Sequence, residues 1–213
     1  MNYTSTQRER ALLLLRKKGM ARLSEFVAAG ITGATIVRMH KAGEVERHGR
    51  GLYRLPDQSV DIHHDLALAA KLVPGSVVCL VSALAFHELT DTIPSRIWIA
   101  IASKDRKPVV AQPPLQIVRF APKMLRSGIE HHVIDGVEVA ITTPARTVVD
   151  LFRYRAPAGR RFRMSPGLNL ALEGLREVLR SRKATPSQIA RIAETLGVWK
   201  PMRPYLEAMT ANA

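Results

Sequence analysis

Hydrophobic residues recur at helical spacing three times within residues 7–42, and the pattern then changes to alternation. Ala11, Leu12 and Leu15 mark the inner side of a helix expected over 7–18, opened by the capping box of Thr6 and Glu9 and closed by Lys17 and Lys18. A shorter helix is expected over 23–29, with Leu23, Phe26 and Val27 on one face, and Gly30 stops it by accepting the left-handed conformation. Ile31 can then fold back into the core, and the Thr32 hydroxyl caps a third helix over about 33–42. On that helix Ile36 and Met39 sit at the i, i+3 spacing of a buried side, while Thr35, Arg38 and Lys41 lie elsewhere on the cylinder. Gly43 ends it. Residues 44–55 alternate in strand fashion around Gly49 and Gly51, placing Val45, Leu52 and Leu55 among basic and polar neighbours. Helix, tight turn, helix and basic hairpin is the order of parts in a winged helix-turn-helix DNA reader, and the segment has the size of one major-groove module.

A helical hairpin followed by a β-hairpin that merely packs would show the same periodicity, so charge has to separate the two. Residues 1–56 hold 11 Lys+Arg against 4 Asp+Glu, a net of +7. Arg47, Arg50 and Arg54 fall on the hairpin, where a reader touches phosphate. Pattern and charge together favour DNA binding. The whole chain of 213 residues carries a net +14, which implies an anionic partner, most simply nucleic acid, held by contacts that weaken as salt rises.

Pro56 and the polar run after it mark a boundary, giving a reader over 1–56 and a second domain over 57–213. Charge supports the division: 57–151 carries 9 Lys+Arg against 10 Asp+Glu, whereas 152–183 carries 9 against 2. Up to about residue 142 the second domain reads as mixed α/β. A modest helix is expected over 60–72, and a short apolar run over 76–81 leads to Ser82, a cap for a helix reaching residue 89. Residues 96–102 and 115–120 are strand-like, rich in β-branched and aromatic residues. Asp135-Gly136 between 130–134 and 137–142 is a two-residue hairpin signal. From Thr143-Pro144 onward the chain reads helical, with an apolar stripe of Leu168, Ala171, Leu172, Leu175 and Leu179 and further helices punctuated by Pro186 and Gly197. The expected fold class is α+β: a winged helix-turn-helix, a mixed α/β domain and a helical C-terminal tail.

Several chemistries are excluded by spacing. The histidine pairs His63-His64 and His131-His132 are adjacent, and neighbours on a strand point to opposite faces. His87 has Glu88 beside it rather than a ligand one turn away. No HExxH or Cys/His quartet occurs, so neither a metal nor a cofactor is expected. Serine-nucleophile and phosphate-loop motifs are absent too. The single cysteine, Cys79, lies in an apolar run and reads as a buried thiol. No apolar stretch is long enough to span a bilayer and the N-terminus lacks a signal-peptide core, so a cytoplasmic protein is expected.

One polar cluster stands out in the second domain. Arg146 and Asp150 are spaced i, i+4 and Asp150 and Arg153 i, i+3, so they can join on one helix face. They read either as a salt-bridged helix start or as an arginine surface for an acidic or nucleic-acid partner. The same two readings apply to Arg153, Arg155, Arg160, Arg161 and Arg163, interleaved with Tyr154 and Phe162: phosphate contact with stacking, or a solvated loop.

Three segments in order, GRGLYRLP at 49–56, SALAFHELTDTIPSRIWIAI at 82–101 and TTPARTVVDLFRYR at 142–155, resemble the AbiEi family of antitoxins from bacterial type IV toxin-antitoxin systems. The resemblance implies a winged helix-turn-helix that represses its own operon through inverted repeats in double-stranded DNA. It also implies a C-terminal antitoxin domain that opposes a cognate nucleotidyltransferase toxin without a stable complex. Larger proteins with the same front end add a nuclease-like domain, but after Asp150 this chain shows no D…ExK arrangement of acids.

The residues assigned to DNA follow from the reader. Thr32, Ala34, Thr35 and Arg38 are expected at base edges or nearby phosphates, with Lys17, Lys18, Arg22, Arg47, His48 and Arg50 on the backbone. Arg146, Asp150, Arg153, Arg155, Arg160 and Arg161 are assigned to antitoxin function, and no catalytic residue is expected. A plain winged-helix regulator with a sensing second domain fits the same features. A nucleic-acid-processing enzyme would need metal-binding acids, for which Glu173 and Glu177 are the nearest candidates.

Overall fold

The computed structural model describes residues 5–49, 51–57, 61–155 and 165–211. It is a mixed α+β protein, with nine helices and eight strands in two sheets among the described residues. The chain divides into two compact units, Met1–Pro74 with His132–Val139, and Gly75–His131 with Ala140–Ala213. The sequence boundary at Pro56 therefore lies inside the first unit.

In the first unit α1 (Gln7–Lys18) opens with a capping box in which Thr6 and Glu9 satisfy each other's backbone N–H. Helices α2 (Leu23–Ala28) and α3 (Gly33–Lys41) follow, separated by Gly30 in the left-handed region. Leu23 is half-buried and Phe26 buried, as the pattern requires, but Val27 is 58% exposed. Six residues give α2 too narrow an inner face for all three.

Strands β1 (Met20–Arg22), β2 (Glu46–Arg47) and β3 (Leu52–Arg54) form an antiparallel sheet in the order β1-β3-β2. Its register pairs Ala21 and Arg47 with Tyr53. The core joins Ala11 and Leu15 of α1, Phe26 of α2, Ile36 and Met39 of α3, and Val45, Ala21 and Tyr53. Phe26 and Tyr53 meet edge to face at 6.2 Å, a preferred aromatic geometry. Gly19, at φ +64°, sits so close to the hairpin tip that a Cβ there would lie 1.5 Å from the Asp135 carbonyl oxygen. Helix α4 (His64–Leu72) completes the unit; His64 Nδ1 pairs with Asp135 at 2.5 Å.

The second unit contains β4 (Val77–Val78), α5 (Leu80–Phe86), β5 (Ile97–Ala102), β6 (Leu115–Phe120) and the helices α6 (Pro144–Arg153), α7 (Gly167–Arg180), α8 (Pro186–Thr195) and α9 (Trp199–Thr210). Strands β7 (Ile129–Ile134) and β8 (Val137–Thr142) turn at Asp135-Gly136, both with positive φ, and the larger sheet runs β6-β5-β4-β8-β7. Helix α5 begins at Leu80, so Ser82 is not its cap. Ser82 is instead buried, its Oγ accepting the Trp98 N–H at 2.8 Å. A large apolar core gathers Leu80, Leu84, Phe120, Val148, Phe152, Leu175 and Ile189 from strand and helix faces alike. Cys79 lies in it, and burial pushes its thiol well above the usual range. No helix among the described residues is long and apolar enough to cross a membrane.

Candidate nucleic-acid interface

Helix α3 is amphipathic because its large packed residues, Ile36 and Met39, fall on one side. Thr35, Ile36 and Met39 are buried at 7%, 0% and 3% exposure, and Ala34, Val37, Arg38 and Lys41 are exposed. Positions 34, 37, 38 and 41 follow the i, i+3, i+4, i+7 spacing of a single face, so they form one outward stripe.

The start of α3 is held from α1 by a single side chain. The Thr32 hydroxyl caps the helix by accepting the Thr35 N–H at 3.4 Å. Gln7 Oε1 accepts the Thr32 N–H at 3.0 Å, the Thr32 hydroxyl at 3.1 Å and the Thr35 hydroxyl at 2.8 Å. A backbone N–H can only donate, which fixes the amide with its oxygen inward. Arg38 Nη2 donates to the Thr35 hydroxyl at 3.4 Å, so the network reaches from Gln7 to the outward stripe. These side chains line an open groove of about 490 Å³ with Arg8 and Glu44, themselves paired at 2.6 Å. Thr35 is thus a part of the scaffold; a base edge would not reach its buried hydroxyl. Sequence reasoning missed Gln7, whose one visible role was to begin a helix.

The cations assigned to the DNA backbone divide into two groups. Lys17 and Arg47 are exposed, Arg47 Nε donating to the Gly49 carbonyl at 3.0 Å across the hairpin turn. Lys18 and Arg22 are instead engaged within the unit. Arg22 donates from Nε and Nη2 to the Lys71 carbonyl, with the Nε bond at 2.8 Å. Lys18 and Lys71 both donate to Glu25, at 2.8 and 3.1 Å, and the Arg22 N–H adds a third bond at 2.7 Å. Burial acts to raise the Glu25 carboxyl, but these donors outweigh it and hold it down at about 2. His48 is half-buried, 3.6 Å from Glu46, and burial followed by the Arg54 charge lowers its titration, which favours the neutral ring. Arg50, assigned to the same hairpin, lies outside the described residues.

The polar cluster of the second unit differs from the arginine surface allowed for by the sequence. Thr143 caps α6 with Pro144 at its first position. Every residue from Ala145 to Phe152 is buried, with Arg146 at 1% and Asp150 at 0% exposure. Arg146 Nε donates to Asp150 Oδ2 at 2.8 Å, and Nη1 donates to the Ser127 carbonyl at 2.7 Å. The guanidinium also stands 5.4 Å from the Phe120 ring centre, within cation–π range. Arg146 Nη2 and Asp150 Oδ1 have no partner among the described residues. Burial drives the Asp150 carboxyl up to about 6 against the opposing charge and bond of Arg146. Arg146 and Asp150 are therefore not presented to a partner. A helix buried on all sides has no solvated face on which to place them.

Arg153 is exposed, and Arg155 is half-buried with Nη1 donating to the Phe152 carbonyl at 2.5 Å. Arg160 and Arg161 lie outside the described residues. Glu173 accepts from Thr90 at 2.5 Å and Glu177 holds Arg180 through both carboxylate oxygens, so neither is set up as a metal ligand. His87 is buried, its Nε2 2.7 Å from the Thr142 carbonyl.

The exposed basic stripe and the hairpin beside it lie within the segment that known families can be compared with. Residues 9–56 match the family described as "Transcriptional regulator, AbiEi antitoxin". That match covers β1–β3, α2, α3 and most of α1, and it stops at Pro56. An AbiEi-type segment supports an antitoxin-type regulator. Among solved structures the chain is similar to that titled "Crystal structure of RV2827C protein from Mycobacterium tuberculosis". That likeness covers 97% of this chain and 78% of the other at a TM-score of 0.56 and 15% identity, so it speaks for the fold alone. No curated protein matches the chain significantly. Beyond Pro56, the AbiEi match includes none of the residues assigned to antitoxin function.

Proposed function

We propose that the chain is a sequence-specific DNA-binding antitoxin that represses its own operon. In this reading residues 1–56 are a winged helix-turn-helix, with α2 and α3 as the helix pair and β2–β3 as the wing. Helix α3 enters the major groove and Arg38 meets a base edge, while Lys17 and Arg47 hold phosphates. The observation that carries the reading is the α3 stripe: two exposed cations on the face opposite the core, in a segment of net charge +7. Residues 57–213 are proposed to counter a cognate nucleotidyltransferase toxin encoded nearby, without a stable complex, through Arg153, Arg155, Arg160 and Arg161. The match over residues 9–56 to a family described as both regulator and antitoxin supports this assignment.

The test of the DNA reading is a gel shift of the full chain on its own promoter against scrambled DNA of equal length, over a series of salt concentrations. Preference for the promoter, steeply weakened by salt, is expected. Equal affinity for both DNAs would remove the repressor assignment.

A further inference from the structure

Two of the four residues on the outward stripe of α3 are apolar. A single exposed valine is commonplace on a protein surface, but Val37, 46% exposed, sits between Ala34 and Arg38 on the face proposed to enter the groove. Its neighbours toward the core, Ile36 and Met39, are packed, so Val37 is not a residue waiting for the interior of its own unit. A base-reading surface made only of cations would recognise charge and guanine. An alkyl surface at the same depth adds contact with the one alkyl group that the major groove displays, the C5-methyl of thymine. Along α3, Ala34 and Val37 are about 4.5 Å apart at 1.5 Å per residue. Base pairs stack about 3.4 Å apart along the duplex, so the two residues span adjacent pairs.

We propose that Val37, with Ala34 beside it, is a specificity-determining residue that reads thymine methyl groups next to the base contacted by Arg38. The proposal rests on the DNA-binding reading above. A residue whose role is only to cover its own helix would be indifferent to the methyl content of the DNA.

The experiment measures binding of the full chain to its own promoter DNA by fluorescence anisotropy at fixed salt, using duplexes made with thymine or with deoxyuridine in its place, one strand at a time. Uracil pairs like thymine but lacks the methyl. Wild type should lose about fourfold in affinity for each contacted methyl removed, the worth of one buried alkyl carbon. Val37→Ala should show the corresponding loss on thymine DNA and little further loss on deoxyuridine DNA, with an unchanged melting temperature. Two results would overturn the proposal: equal wild-type affinity for both duplexes, or losses from Val37→Ala and from deoxyuridine that multiply. The DNA-binding reading fails separately, and takes this proposal with it, if wild type does not distinguish promoter from scrambled DNA.

Discussion

Helices α3 and α6 start alike. Each is capped by a threonine hydroxyl, Thr32 or Thr143, and each carries an arginine, Arg38 in the last turn of α3 and Arg146 in the first turn of α6. Arg38 of α3 is exposed and, among the described residues, donates a long bond to Thr35, whereas Arg146 of α6 is 1% exposed and bonded to Asp150 and two backbone carbonyls. The cause is the rest of each helix. In α3 the packed residues Ile36 and Met39 occupy one side, and the other side, Val37 included, stays in water. In α6 an unbroken run from Ala145 to Phe152 is enclosed, so its polar residues must find partners inside. An arginine's meaning is thus set by how much of the helix circumference is apolar.

The largest effect expected from this contrast is on stability. Arg146→Ala removes the partner of a buried carboxylate and three hydrogen bonds, and should cost about 3–5 kcal/mol in urea denaturation. Arg38→Ala should cost less than about 0.5 kcal/mol in the same assay. The double variant R146M/D150L should recover much of the loss, because an apolar pair of similar volume leaves no charge uncompensated. A benign Arg146→Ala would break the contrast between the two helices.

The next effect is a pH dependence with opposite signs at two carboxylates. Burial raises Asp150 to about 6, so its protonated form is favoured in the fold. Its contribution is fully present below the ordinary carboxyl value of 3.8 and is lost as pH rises through about 6. Glu25, with three donors and more solvent, is lowered to about 2, and its contribution is present above 4.5 and lost as pH falls toward 2. Melting temperatures should therefore rise between pH 7 and pH 5 in wild type, and this rise should shrink in Asp150→Asn. Glu25→Gln should instead flatten the decline below pH 4. An unchanged slope between pH 7 and 5 in Asp150→Asn would show that another group is responsible.

Much of this architecture was legible in the sequence. The capping box of α1, the glycine stop before Thr32 and the Asp135-Gly136 hairpin are local signals, set by residues a few positions apart. Strand β1 was not legible, because three residues are too few to show alternation and the strand exists by pairing with β3. Ser82 looked like a cap because it precedes a helical pattern, but its hydroxyl answers a strand sixteen residues on. In the candidate site, the spacing of Arg146 and Asp150 was visible and their depth was not. An i, i+4 pair reads identically on a surface or in a core. The signal that distinguishes them is the apolar crowding of Val148, Val149, Leu151 and Phe152 around the pair.

A smaller effect separates binding from stability on α3. Arg38→Ala should weaken promoter binding by about 1–3 kcal/mol if it contacts guanine, and relax base preference at that position. Gln7 supports Arg38 only through Thr35, so it acts as a positioning residue. Gln7→Leu loses the acceptor of three bonds and should reduce the ratio of promoter to scrambled affinity, with the salt slope unchanged. Gln7→Glu keeps a carboxylate oxygen for the same three donors and should retain that ratio. Equal behaviour of the two Gln7 variants in anisotropy titrations would leave the network without a role in recognition.

The smallest effect on stability is expected at the exposed end of α6, where the helix leaves the core and Arg153 reaches solvent. Replacing Arg153, Arg155, Arg160 and Arg161 with glutamine should change stability only slightly, by about half a kcal/mol or less at the exposed Arg153. The bond from Arg155 to the Phe152 carbonyl is the one described contact at risk. If these arginines carry antidote activity, growth rescue in cells expressing the cognate toxin should fall while melting temperature and antitoxin abundance hold. Arg146→Ala should abolish rescue as well, but together with its stability. The two variants thus separate a solvated arginine that acts outward from a buried one that holds the helix. Full rescue by the folded quadruple variant would return Arg153 and its neighbours to an ordinary solvated surface.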